Sequence, residues 1–279
     1  MLSAKISKSK LLAIESVAFL DEANIKIANE GIKIYGINPS KTIMSNLSIG
    51  KDEFRDYKIN PHEFLATLKV SDLLDVVRRI TADTIELEID SNIRIMGTNG
   101  DREQYFILPL LNTGEENKDV VIDFKKAIEF NSLDLRNTIK DMSLINESLS
   151  IGIGKNDETI IKCNSKEGKA VAVNIKPTKA GLMAYVVGEG CSSNFTNELM
   201  ITALKGLRIS RKVNVFVGED CPMKMQFINN KIELNTIIAN RCDDEETSKK
   251  VNPQAQEVKV EVENAENETG NKELEETSE

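Results

Sequence analysis

Apolar and polar residues alternate with period two through most of the chain, which predicts strands with one buried face. The alternation is clearest at residues 24–49. There Ile25 and Ile27, then Ile32 and Ile34, then Leu47 and Ile49 alternate with polar neighbours. Asn29-Glu30-Gly31 and Asn38-Pro39-Ser40 separate the three runs, and Gly31 suits a turn that needs positive φ. This stretch predicts a three-stranded meander. Further strands are predicted at 54–59, 65–68, 84–89, 92–96, 103–108, 127–130, 149–153, 158–163, 169–175, 185–188, 192–195, 213–217, 223–227 and 232–238.

Helical spacing interrupts the alternation four times. Residues 7–22 put Leu11, Ile14 and Ala18 on one face, with Ser7 or Ser9 as the cap. A helix opening at Ser71 aligns Leu73, Val77 and Ile80. One capped by Ser132 aligns Leu135, Ile139 and Met142, and one opening at Thr196 aligns Leu199, Ala203 and Leu207. Helix starts recur at roughly sixty-residue intervals, each followed by about three strands, which is an internal repeat. Pro109 ends the second copy, and residues 110–124 are apolar only at their ends. The predicted fold class is therefore α+β: two similar domains, 1–109 and 125–242, each of two βαβββ repeats, joined by a connector at 110–124. Residues 243–279 hold too few apolar side chains to offset their ordering entropy and predict a disordered acidic tail.

Charge sharpens this division. The tail carries 13 acidic and 4 basic residues, which accounts for the whole net charge of −9, so residues 1–242 are balanced. The surface distribution of bases, rather than the overall pI, then bears on nucleic-acid binding. The chain has no apolar run long enough to cross a membrane and no apolar region at its start. Its four cysteines stand far apart with no CxxC pair, which argues against a zinc site or a disulfide framework and fits a reducing compartment. The single histidine, His62, follows Pro61 and reads as a surface residue. Gly152-Ile153-Gly154 lacks the helix start of a phosphate loop, and the acids lack metal-ligand spacing. Neither catalysis nor a cofactor is expected.

The run Gly31-Ile32-Lys33-Ile34-Tyr35-Gly36-Ile37-Asn38-Pro39-Ser40-Lys41-Thr42-Ile43 resembles a phrase of the archaeal and eukaryotic sliding clamps, the proliferating cell nuclear antigen (PCNA) family. Further phrases match in order over residues 1 to about 246. They are Ser71-Asp72-Leu73-Leu74-Asp75-Val76-Val77-Arg78, Asp141-Met142-Ser143, Asp220-Cys221-Pro222-Met223, and the ending from Ile238 to Glu245. The resemblance implies the DNA clamp fold, with three subunits closed head to tail around duplex DNA and helices lining the ring interior.

On this likeness Arg78, Lys140 and Lys205 match DNA-facing positions. Arg79, Arg136, Arg208 and Arg211 join them as bases on or just after the helices, and Lys8 and Lys10 follow on the first helix. Such contacts reach phosphates and read no sequence. The family's partner groove maps to Ile37, Lys41, Thr42, Leu111, Val120, Val121, Ile122, Pro222, Ile237, Ile238, Ala239, Asn240 and Cys242. It would take a short peptide motif of a DNA polymerase, the clamp loader replication factor C, a flap endonuclease or a DNA ligase. The subunit contact maps to Glu103, Gln104, Tyr105, Phe106 and Ile107 against Lys169, Ala170, Val171, Ala172, Val173, Asn174 and Ile175. The expected activity is that of a homotrimeric processivity factor of the cytoplasm or nucleoid, or of a eukaryotic nucleus, and not that of an enzyme.

The chain departs from the family at Asn240-Arg241-Cys242, where a proline is usual, so the segment before the tail is expected to be less rigid, and in a first helix with few bases. Two alternatives stay open. One is a specialised clamp relative that acts only in a hetero-oligomer, and the other is an enzyme on an unrelated α+β fold.

Overall fold

The computed structural model describes residues 1–59, 63–111, 122, 124, 126–153, 159–164, 170–175 and 191–241. Four βαβββ units follow one another. The first is β1 (Leu2–Ser7), α1 (Lys8–Leu11, continued by a 3-10 helix Leu12–Val17), β2 (Glu22–Ala28), β3 (Gly31–Ile37) and β4 (Ile43–Gly50). A 3-10 turn (Lys51–Glu53) and β5 (Phe54–Ile59) lead to the second: β6 (Phe64–Lys69), α2 (Val70–Arg79), β7 (Thr84–Ile89), β8 (Asn92–Asn99) and β9 (Arg102–Pro109). The third is β10 (Lys126–Asn131), α3 (Ser132–Ser143), β11 (Ser148–Ile153), β12 (Thr159–Asn164) and β13 (Ala170–Ile175). The fourth is β14 (Cys191–Thr196), α4 (Asn197–Ala203, continued by a 3-10 helix Leu204–Arg208), β15 (Lys212–Val217), β16 (Met223–Asn229) and β17 (Ile232–Ile238). The strand expected at 185–188, residues 243–279, His62, Val120, Val121, Lys169 and Cys242 lie outside the described residues.

Alternation governs packing throughout. β1, which the pattern reading passed over, buries Leu2, Ala4 and Ile6, and β17 buries Ile232, Leu234, Thr236 and Ile238. The leading strand of each unit crosses to its neighbour: β1 pairs with β7, β6 with β2, β10 with β15, and β14 with β11. Three sheets result, ordered β5-β1-β7-β8-β9, β10-β15-β16-β17-β4-β3-β2-β6, and β13-β12-β11-β14. The eight-stranded sheet runs through both halves of the chain, because β4 pairs with β17 from Ile43↔Ile238 to Ile49↔Ile232. Inside that seam the hydroxyls of Ser45 and Thr236 share a buried hydrogen bond of 2.7 Å. Gly31 takes φ +141°, and a Cβ there would lie 2.2 Å from the Ile49 carbonyl oxygen, so the tight turn into β3 requires glycine.

The first helix is shorter than expected. Residues 13–17 are buried on every side, and the Ser16 hydroxyl donates to the Ala13 carbonyl at 2.6 Å, which favours the tighter 3-10 turn. Glu22 already belongs to β2. In the third unit the cap is Asn131 rather than Ser132, its Oδ1 accepting from the Leu133 and Asp134 N–H groups at 2.9 and 3.3 Å.

A buried carboxylate ties the two halves. Glu53 accepts from the Lys10 ammonium at 2.7 Å and from the Lys231 backbone N–H at 2.8 Å. Burial disfavours its charge, but the Lys10 hydrogen bond, the Lys231 N–H and their positive charges outweigh that, and its pKa is lowered. A carboxylate with a lowered folded pKa gives stability that is complete above its ordinary value of 4.5 and is lost as pH falls through the folded value. Glu53→Gln should therefore destabilise the protein at pH 7 by about 1–2 kcal/mol. In denaturant titrations the gap from the parent should close in acid. A gap independent of pH would contradict the assignment.

Candidate nucleic-acid interface

The helices form one row across both halves. α2 packs beside the 3-10 part of α1, which packs beside the 3-10 extension of α4, and α4 packs beside α3. Gly206 permits part of this: a Cβ there would meet the Phe227 ring at 2.3 Å, so the segment lies flat on β16 and Arg208 emerges beside α1. The row carries the bases expected at DNA, with Arg211 just beyond it.

The structure divides these bases in two. Lys8 Nζ donates to the Arg78 and Ile80 carbonyls at 3.0 and 2.5 Å, capping the C-terminus of α2, where a cation is favoured. Lys10 is held by Glu53. Arg78 donates from Nε to Glu15 Oε1 at 2.9 Å with Nη2 2.8 Å from the same oxygen, and Arg208 Nε forms an ion pair with Glu15 Oε2. The Glu15 side chain is only 9% exposed, whereas those of Arg78 and Arg208 are 51% and 59% exposed. Lys8 and Lys10 thus serve the fold rather than projecting freely. Arg79, Lys140, Lys205 and Arg211 are exposed and Arg136 is half-buried, with no internal side-chain partner among the described residues. The same helices expose Asp75, Asp134, Asp141 and Glu198, so the face is only mildly positive.

Among the described residues, two of the predicted contact strands are sheet edges: β9 is outermost in the five-stranded sheet and β13 in the four-stranded one. Gly100 (φ +59°) and Asp101 make the two-residue turn into β9. The pair closing such a turn is hydrogen-bonded, and bonded pairs then alternate along an antiparallel ladder. Arg102, Gln104, Phe106 and Leu108 therefore direct their main chain to β8, while Glu103, Tyr105 and Ile107 direct theirs to the free edge. The Tyr105 and Ile107 side chains are each 54% exposed, while Phe106 packs on the core. Gln104 is committed internally, its Oε1 accepting from Thr81 N and Oγ1. On β13, Ala172 is exposed and Val171 and Val173 pack against the core.

At one end of the eight-stranded sheet, register aligns Ile37, Met44 and Ile237 across β3, β4 and β17. Ile37 is exposed, Met44 and Ile237 are half-buried, and Pro222, Ala239 and Asn240 lie at the same end of the sheet. Asn38 Oδ1 accepts from the Thr42 and Ile43 N–H groups, with Lys41 at φ +57°, and Ala239 N–H donates to the Thr42 carbonyl at 2.8 Å. Leu111 N–H donates to the Thr67 carbonyl at 2.7 Å, and half-buried Ile122 precedes Phe124, whose ring meets that of Phe216 in a tilted contact at 5.7 Å.

Two expectations change here. Ile238 is fully buried on the opposite face, so it belongs to the core and not to a groove floor. Asn240 does not loosen its segment, because its Nδ2 donates to the Asp220 carbonyl at 2.9 Å. Sequence reasoning missed Met44, Glu15 and Glu53. The signal for Glu15 was a lone acid inside the otherwise apolar and small run from Leu11 to Leu20.

No protein-family model matches the chain. It is 26% identical over 231 residues to the DNA polymerase sliding clamp of Thermococcus gammatolerans, covering 81% of this chain and 91% of that one. It is 22% identical over 211 residues to DNA polymerase sliding clamp 2 of Saccharolobus solfataricus, covering 75% and 85%. Among solved structures, PCNA from Thermococcus kodakaraensis superposes with a TM-score of 0.75 at 17% identity, over 86% of this chain and all of that one. The proliferating cellular nuclear antigen of Entamoeba histolytica gives 0.74 at 16% identity, over 86% and 99%. The chain is thus similar in sequence to archaeal DNA polymerase sliding clamps and in fold to PCNA.

Proposed function

We propose that the chain is the subunit of a DNA polymerase sliding clamp, a binding and tethering protein that acts without catalysis. Three copies close head to tail, β9 of one pairing with β13 of the next, and the helix row faces duplex DNA. Each subunit is read as two domains, 1–109 and 125–242, joined by the connector at 110–124 and followed by the acidic segment 243–279. The observation that carries the reading is the open edge of β9, with outward main-chain groups at Glu103, Tyr105 and Ile107 and two exposed apolar side chains. Such an edge is a hazard unless a partner covers it, and a head-to-tail contact that closes makes a ring.

The free bases support weak, sequence-independent contact with phosphates. The row Ile37–Met44–Ile237 supports docking of a short peptide from a DNA polymerase, and by the same motif from the clamp loader, a flap endonuclease or a DNA ligase. The ring works where DNA is replicated, in the cytoplasm and nucleoid or in a nucleus.

Three measurements test this. Tyr105→Pro removes an outward N–H from β9 and should convert trimers to monomers in sedimentation; a trimer of parental stability would refute the edge assignment. Lys140→Ala/Lys205→Ala/Arg211→Ala should keep the trimer but shorten its retention on nicked circular DNA, with a salt slope shallower by up to about 0.9 per lost phosphate contact. Parental retention would mean the row does not face DNA. Ile237→Asp should weaken a clamp-binding peptide at least about tenfold in a calorimetric titration, since affinity in such grooves concentrates in a few apolar anchors. Unchanged affinity would move the groove elsewhere.

A further inference from the structure

Glu15 is the least expected charge in the helix row. It sits in the 3-10 part of α1 between Ile14 and Ser16, nine-tenths buried, and it meets guanidiniums from helices of both halves. Apolar replacement of a buried ion cluster is often neutral or stabilising, so packing alone does not account for a carboxylate here. Its partners stay more than half exposed. A guanidinium has five N–H donors in a rigid fork. Arg78 commits Nε to a hydrogen bond with Glu15 and pairs with it through Nη2, and Arg208 Nε is ion-paired with the same carboxylate. Among the described residues, Arg78 Nη1 and both terminal nitrogens of Arg208 have no partner. Guanidinium forks of this kind match phosphate oxygens.

We infer that Glu15 is a positioning and charge-setting residue for the phosphodiester contacts of the helix row. It anchors the Arg78 and Arg208 forks where the two halves meet, and it lowers their joint charge from +2 to +1. This rests on the clamp reading above. Affinity for duplex DNA rises with the number of phosphates a protein neutralises, as does its salt dependence. A carboxylate buried under two arginines limits the grip at one point of a ring that has to slide. Lys8 supports the arrangement by holding the Arg78 carbonyl from below.

The test is fluorescence-anisotropy binding of the full chain to a labelled duplex over a salt series. Glu15→Gln keeps the size and an acceptor but removes the charge. It should steepen the slope of log K against log salt by about 0.9 and tighten binding at 0.1 M salt by up to about eightfold. Glu15→Gln/Arg208→Gln restores the cluster to +1 and should return the slope to the parental value. A merely structural role predicts the reverse, because the double variant loses more of the junction and yet would not recover. A parental or shallower slope for Glu15→Gln overturns the inference. Should Glu15→Gln fail to fold, Arg208→Gln alone leaves the Arg78–Glu15 pair and a neutral cluster. Its slope should become shallower by about 0.9, and no change overturns the inference. A parent without salt-dependent DNA binding would overturn the clamp reading itself, whereas a binding parent with an indifferent Glu15→Gln would overturn this inference alone.

Discussion

The seam between β4 and β17 is the contact on which the rest of the molecule depends. It joins the first repeat to the last, along a register from Ile43↔Ile238 to Ile49↔Ile232. Its inner row buries Leu47, Leu234 and the Ser45–Thr236 hydroxyl pair. Leaving either hydroxyl unpaired there would cost about 1–3 kcal/mol, so the pair fixes register as well as adding stability. On the inner side the seam brings α1 beside the extension of α4, which is how Glu15 reaches both Arg78 and Arg208. On the outer side it sets Met44 beside Ile237 and completes the apolar row that begins at Ile37. One line of backbone pairing thus builds both faces that the proposed function uses.

Charge in this chain does two jobs, and Arg78 and Arg208 share in both. Lys8, Lys10, Arg78 and Arg208 are bound to carbonyls or to buried carboxylates and hold helices and halves together. Arg79, Lys140, Lys205 and Arg211 remain at the surface. Isolated surface ion pairs contribute about 0–1 kcal/mol, so the exposed bases have little structural reason to be where they are. The buried acids matter more to the fold, because each would be an uncompensated charge without its partners.

The fold was largely legible because alternation and helical spacing are local. The meander at 24–49, the helices near 70, 132 and 197 and the closing strands lie where the pattern put them. The first helix was misjudged because a segment buried on every side carries no amphipathic signal, and β1 was passed over in front of it. The β4–β17 seam was not legible, since pairing between residues about two hundred positions apart leaves no trace in local periodicity. The site was read in part. Spacing and resemblance singled out the bases, but only packing shows which are already engaged. Ile238 was taken for a groove residue because a strand's two faces look alike until one is known to be buried, and the segment at Asn240 was taken for a looser one because a side-chain tether cannot be read from a backbone substitution.

The central claim is that this subunit closes into a ring with copies of itself. Sedimentation equilibrium of the purified full chain tests it most directly. The account predicts a single species of three times the 31.1 kDa chain mass, stable to dilution. A monomer that assembles only when other clamp-like chains are added would contradict it.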